Sequence, residues 1–146
     1  MAATIVVGTN SWLTLAEAET YFESRINADD WNNLPDDNTK NQYLITAYNW
    51  LFYDPGFFAP ASATEQAVKN GQCEAALFLA GYAEEYSKRE ALIASGVKDF
   101  TYSKWSETLG EVKKPDSVIN YFISAGYYAG ANAFVLTPDI SDEVNY

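Results

Sequence analysis

The chain has 146 residues, 20 of them acidic and 9 basic, for a net charge of −11. That length suits one domain with a core of its own, and 48% hydrophobic against 20% charged residues argues against wholesale disorder. With no histidine and a single cysteine, Cys73, the sequence excludes Ser-His-Asp and Cys-His catalysis, imidazole metal ligation, a Cys-based zinc site and an internal disulfide.

Residues 1–68 carry 9 acids and 2 bases, and residues 69–146 carry 11 and 7. Neither half offers the Lys and Arg excess that neutralises phosphates. Aromatic residues reach 16%, and Tyr and Trp suit surfaces half buried against partners. The longest apolar stretch, Ala75 to Ala83, is too short to span a bilayer, so no membrane partner is expected. Nothing basic precedes Thr4–Val7, so no secretory signal is expected and a cytosolic origin is the simplest reading.

Helices dominate the predicted order. The β-branched run Thr4-Ile5-Val6-Val7 predicts a short strand ended by Gly8. Thr14-x-x-Glu17 has the form of a capping box, with Leu13 and Ala18 at the positions of a hydrophobic staple. The helix it opens is expected to run to about Ile26, with Leu15, Ala18, Phe22 and Ile26 on its buried face. An acidic, Asn-rich loop from Asn27 to Asn38 contains Trp31, which is expected to dock onto the body.

A second helix begins near Asp36–Asn38, where short side chains cap, carries the stripe Tyr43, Leu44, Ala47, Tyr48 and Leu51, and ends before Pro55-Gly56. The third and longest runs from about Thr64 to Ala94 and is closed by Gly96. Val68, Ala75, Leu79, Tyr82 and Tyr86 form its seam, beside a small-residue stripe of Ala76, Ala80 and Ala83. Gly71 and Gly81 each cost about 1 kcal/mol there relative to Ala, and mark either close packing or a bend.

Phe100, Tyr102 and Trp105, set among Thr and Ser between Val97 and Leu109, predict a two-stranded hairpin or an extended loop with Ser103-Lys104 near its tip. A fourth helix starts at Asp116 or Ser117, buries Val118, Ile119, Phe122 and Ile123, and is loosened by Gly126 and Gly130. From Ala131 to Tyr146 the chain is expected to be an extended acidic arm with Pro138 inside it. The expected fold is therefore mainly α: a bundle of four to five helices with a small β-hairpin and extended termini. Residues 1–130 form one helical domain and 131–146 the arm.

No catalytic motif stands out. A carboxylate site would draw on Glu17, Glu19, Glu23, Asp29, Asp30, Glu84 or Glu85. Glu17 is better explained as a cap, and Glu19 with Glu23 as a solvated helix face. The sequence lacks a P-loop, a G-x-G-x-x-G after a strand and a G-x-S-x-G, and Asp36-Asp37-Asn38 lacks the spacing of a calcium loop. Cys73, mid-helix among Ala and Leu, reads as core. The expectation is a non-enzyme with no catalytic residues, cofactor or metal.

The order of elements carries a resemblance. It comprises Thr14-Leu15-Ala16-Glu17-Ala18-Glu19-Thr20-Tyr21-Phe22, the Trp31 loop, Tyr48-Asn49-Trp50-Leu51, a long helix with Val68-Lys69 and Glu74-Ala75-Ala76-Leu77, Gly96-Val97-Lys98 entering a hairpin, and Pro115-Asp116 opening the last helix. Across roughly residues 9–126 this resembles the small head–tail connector (adaptor, or head-completion) proteins of tailed phages, nearest the branch often labelled DnaT-like single-strand-binding protein. The sequence departs from the pattern at Gly71, where Ala is expected, at the hairpin tip, which lacks the usual Gly, and over the apolar segment Asp54–Ala63. The arm after Gly126 lies outside it.

The resemblance implies a structural virion protein of the neck, assembled in the host cytoplasm. It would form a homo-oligomeric ring, commonly a dodecamer, between the portal protein and the stopper or tail-completion protein. Genomic DNA would pass through its channel without specific binding. Two surfaces are expected to meet partners. One is the hairpin region with Phe100, Tyr102 and Trp105, an axial contact unless it packs onto its own subunit. The other is the arm with Phe134, Val135, Leu136, Ile140, Val144 and Tyr146, which suits strand augmentation or a groove and, in related connectors, commonly reaches the portal. Its alternative is pairing of Ala133–Leu136 with Thr4–Val7 inside one subunit. Two other functional classes compete: a phage single-stranded-DNA-binding or replication accessory protein, whose stacking aromatics would lack the usual basic funnel, and an acidic DNA mimic.

Overall fold

Thr14 opens the first helix, α1 (Leu15–Glu23), with the reciprocal bonds its sequence predicts. Its Oγ1 accepts from Glu17 N at 3.1 Å, and Glu17 Oε1 accepts from Thr14 N at 2.9 Å. The computed structural model describes residues 2–94 and 113–129, with the side chains of 84–94 excepted. Five helices lie in these residues, so the chain is mainly α. After α1 come a one-turn helix α2 (Asp29–Asn32), α3 (Asp37–Phe52), the long α4 (Gln66–Ala94) and α5 (Asp116–Ala125). The predicted hairpin, and the arm from 131 to 146, lie outside the described residues.

Asp36 caps α3 by accepting from Thr39 N at 2.8 Å. α5 ends at Gly126, whose φ of 87° is left-handed; Tyr127 N returns to Phe122 O at 2.9 Å and closes a Schellman-type turn. α4 is the central element, touched by all four other helices. Its buried face includes Val68, Cys73, Ala75, Ala76 and Leu79. Leu44, Ala47, Tyr48 and Leu51 of α3 are buried as the stripe predicts, with Tyr43 partly so.

Trp31 docks as expected. It is fully buried and stacks on Phe22 with ring centroids 4.6 Å apart, and a helical turn rather than a loop holds it there. The segment between α3 and α4 also enters the core, through Phe57, Ala59 and Ala63. Trp12, which the helix pattern does not single out, is buried at its centre: the ring meets Tyr48 at 4.5 Å and Phe122 at 5.7 Å, and Nε1 donates to Pro60 O at 2.8 Å.

Three expectations need correction. Thr4–Val7 is extended but not a strand. Among the described residues β pairing is confined to two isolated bridges, Val7 with Ser11 and Phe57 with Tyr128. Asparagine amides occupy the places a ladder would fill: Asn38 and Asn41 bond the two backbone groups of Ala3, and Asn10 accepts from Val6 N and donates to Thr4 O. Ile26 is 80% exposed because α1 stops at Glu23 and the chain turns through Asn27 at φ 59°, which breaks the register with Phe22. Ile123 is 54% exposed because α5 buries Val118 and Phe122, and Ile123 lies about 100° further round.

Both α4 glycines mark close packing. A Cβ on Gly71 would stand 2.5 Å from Phe122 Cε1, and one on Gly81 would stand 2.7 Å from Asp30 Oδ2.

Candidate interaction surfaces

Two buried polar side chains of α4 tie the bundle together. Gln72 accepts from Trp12 N at 2.8 Å and donates to Ser11 Oγ and Leu44 O, both at 2.9 Å. Glu74, 5% exposed, takes Arg25 in a two-pronged pair, Nε at 2.7 Å and Nη2 at 2.9 Å, and also accepts from the Tyr21 hydroxyl. The Tyr121 hydroxyl of α5 lies 3.4 Å from that of Tyr21. Burial acts to raise the Glu74 carboxyl, but the hydrogen bonds from Arg25 and Tyr21 outweigh it, and the group sits below the usual carboxylate value. Burial, then the bond to Glu74, pushes the Tyr21 hydroxyl up. This cluster joins α1, α4 and α5; every strong donor in it already has its acceptor, so it reads as structural.

Cys73 is buried, which pushes its thiol up and away from nucleophilic use. Of the carboxylates weighed for catalysis, Glu17 caps α1 and pairs with Lys69 at 3.0 Å. Glu19 is not merely solvated: it accepts from Trp31 Nε1 at 3.3 Å and pairs with Lys40 at 2.9 Å. Glu84 and Glu85 lie among the side chains not described.

The two ends of α3 differ in chemistry. Asp36 and Asp37 stand exposed at its start; Glu23 of α1 and Asp29 and Asp30 of α2 are exposed as well, with Asp30 against Gly81 of α4. Each Lys or Arg with a described side chain has a carboxylate partner: Arg25 with Glu74, Lys40 with Glu19, Lys69 with Glu17, Lys113 with Asp116 and Lys114 with Asp54, at 2.6–3.9 Å. For Arg25, Lys40, Lys69 and Lys114, paired at 2.6–3.0 Å, a phosphate would compete with a carboxylate already in contact; Lys113, 82% exposed and 3.9 Å from Asp116, is only loosely paired.

Around the other end of α3 the surface is aromatic. Tyr53 is 75% exposed and Phe58 52% exposed, on either side of the Pro55-Gly56 turn. Beneath them, Phe52 stacks on Tyr48 at 5.2 Å, and Phe57 meets Phe122 at 5.1 Å and Tyr128 at 4.7 Å. Lys114 is neutralised here, 2.6 Å from Asp54, with its ammonium 4.7 Å from the Trp50 ring centroid. Asn49, Trp50, Tyr53, Asp54, Pro55 and Lys114 line a shallow groove at this end. Tyr127–Ala129 pairs antiparallel with Gly56–Phe58: Phe58 N donates to Tyr127 O at 2.9 Å and Ala129 N to Gly56 O at 3.0 Å. The last described residues, Tyr127–Ala129, therefore lie beside Gly56–Phe58.

The residues singled out for partner contact, Phe100, Tyr102, Trp105, Phe134, Val135, Leu136, Ile140, Val144 and Tyr146, all lie outside the described residues. Sequence reasoning passed over Tyr53 and Phe58. The signal available was a pair of aromatic clusters astride a Pro-Gly turn in a segment the family resemblance did not cover. No helix among the described residues is long and apolar enough to cross a membrane. Comparison of the chain with protein-family models, with curated proteins and with solved structures finds no match.

Proposed function

We propose that this chain is a structural subunit of a tailed-phage neck, a head-to-tail connector that forms a ring between the portal and the stopper or tail-completion protein and lines the DNA channel. The observation that carries the reading is the spread of exposed large apolar side chains over one small body: Val6 and Val7 before α1, Ile26 after it, Tyr53 after α3, Phe58 before α4 and Ile123 on α5. A ring subunit meets neighbours on two lateral and two axial sides, and such side chains suit those contacts. The helical order resembled by the sequence, and a catalytic inventory without histidine, support the same reading. Pairing of the described cations weighs against the single-strand-binding alternative.

In this reading the hairpin region with Phe100, Tyr102 and Trp105 is an axial contact, and the arm with Phe134, Val135, Leu136, Ile140, Val144 and Tyr146 reaches the portal or a neighbouring subunit. Cosedimentation with portal-bearing capsids tests it. The full chain should attach. A chain lacking residues 131–146 should keep its helical melting yet fail to attach. If the truncated chain unfolds or aggregates, the arm belongs to the subunit's own core. If the intact chain ignores portal-bearing capsids, the connector assignment fails.

A further inference from the structure

We draw no further inference here: the strongest candidate, the shallow groove at the C-terminal end of α3 lined by Asn49, Trp50, Tyr53, Asp54, Pro55 and Lys114, carries nothing because no contact among the described residues shows what covers it.

Discussion

Gly71 and Phe122 meet across α4 and α5 so closely that a single methyl group will not fit between them: a Cβ on Gly71 would lie 2.5 Å from Cε1 and 2.9 Å from Cδ1 of the Phe122 ring. The ring cannot retreat, because it is fully buried with Trp12 at 5.7 Å and Phe57 at 5.1 Å. Gly71→Ala gains about 1 kcal/mol of helix propensity but overpacks a core, which costs about 1–3 kcal/mol. The expected net effect is a loss of stability, read as a lower urea midpoint. Gly81→Ala should behave in the opposite way. The atom in its path is Asp30 Oδ2, the end of an exposed side chain that can swing aside, so the variant should hold or gain up to about 1 kcal/mol. Equal responses at the two sites would refute this account of the α4–α5 contact.

Gln72 is the second test. Replacing it by Met keeps about the same volume and removes every polar partner. Trp12 N then loses its acceptor and Leu44 O one of its donors inside the core. Each orphaned group costs about 1–3 kcal/mol, so Gln72→Met should destabilise the fold by about 2–4 kcal/mol in chemical denaturation. A neutral outcome would mean that water reaches the site.

Glu74 predicts a pH dependence. Its carboxyl is held below its ordinary value of 4.5, with the Arg25 and Tyr21 hydrogen bonds overcoming burial. A group whose pKa falls on folding contributes stability that is present above the unfolded value and lost as pH falls through the folded one. The wild-type chain should therefore melt well above Glu74→Gln at pH 7, and the gap should close as the pH drops below 4.5. At pH 7 the substitution should cost about 1–3 kcal/mol, the range for a charged hydrogen bond, moderated because the Arg25 side chain is 31% exposed. A gap that stays constant from pH 7 down to about pH 3 would show that the Glu74 charge contributes no stability.

Local features were legible in the sequence. The Thr14 and Asp36 caps need only residues three positions away, and both bond as expected. The buried stripe of α3 follows from its helical period. What escaped was set by distant partners. Thr4–Val7 has strand composition, but Asn38 and Asn41 bond the adjoining Ala3 from 35 and 38 positions away. Gln72 looks like any helix surface residue until Ser11, Trp12 and Leu44 are brought round it across 28–61 positions. The aromatic end was illegible for a related reason. Phe57 and Phe58 are neighbours of identical chemistry, yet one is buried against Phe122 and the other faces outward. Only the pairing of Gly56–Phe58 with Tyr127–Ala129 decides which is which.

The last prediction separates the connector from a nucleic-acid binder. Binding a single strand couples base stacking to phosphate neutralisation, and the second part needs cations that are free to release counterions. Here each described Lys and Arg stands 2.6–3.9 Å from a carboxylate, and the whole chain carries −11. A phosphate approaching Lys114 would compete with Asp54 at 2.6 Å, and one approaching Arg25 would compete with both oxygens of Glu74. Tyr53 and Phe58 offer stacking surfaces, but the cation beside them is already neutralised. A fluorescence titration with an oligothymidine at near-physiological salt should therefore show no binding at micromolar protein. Saturation below micromolar concentration, weakened by added salt, would mean that these ion pairs open for phosphate, and would replace the connector with a true single-strand binder.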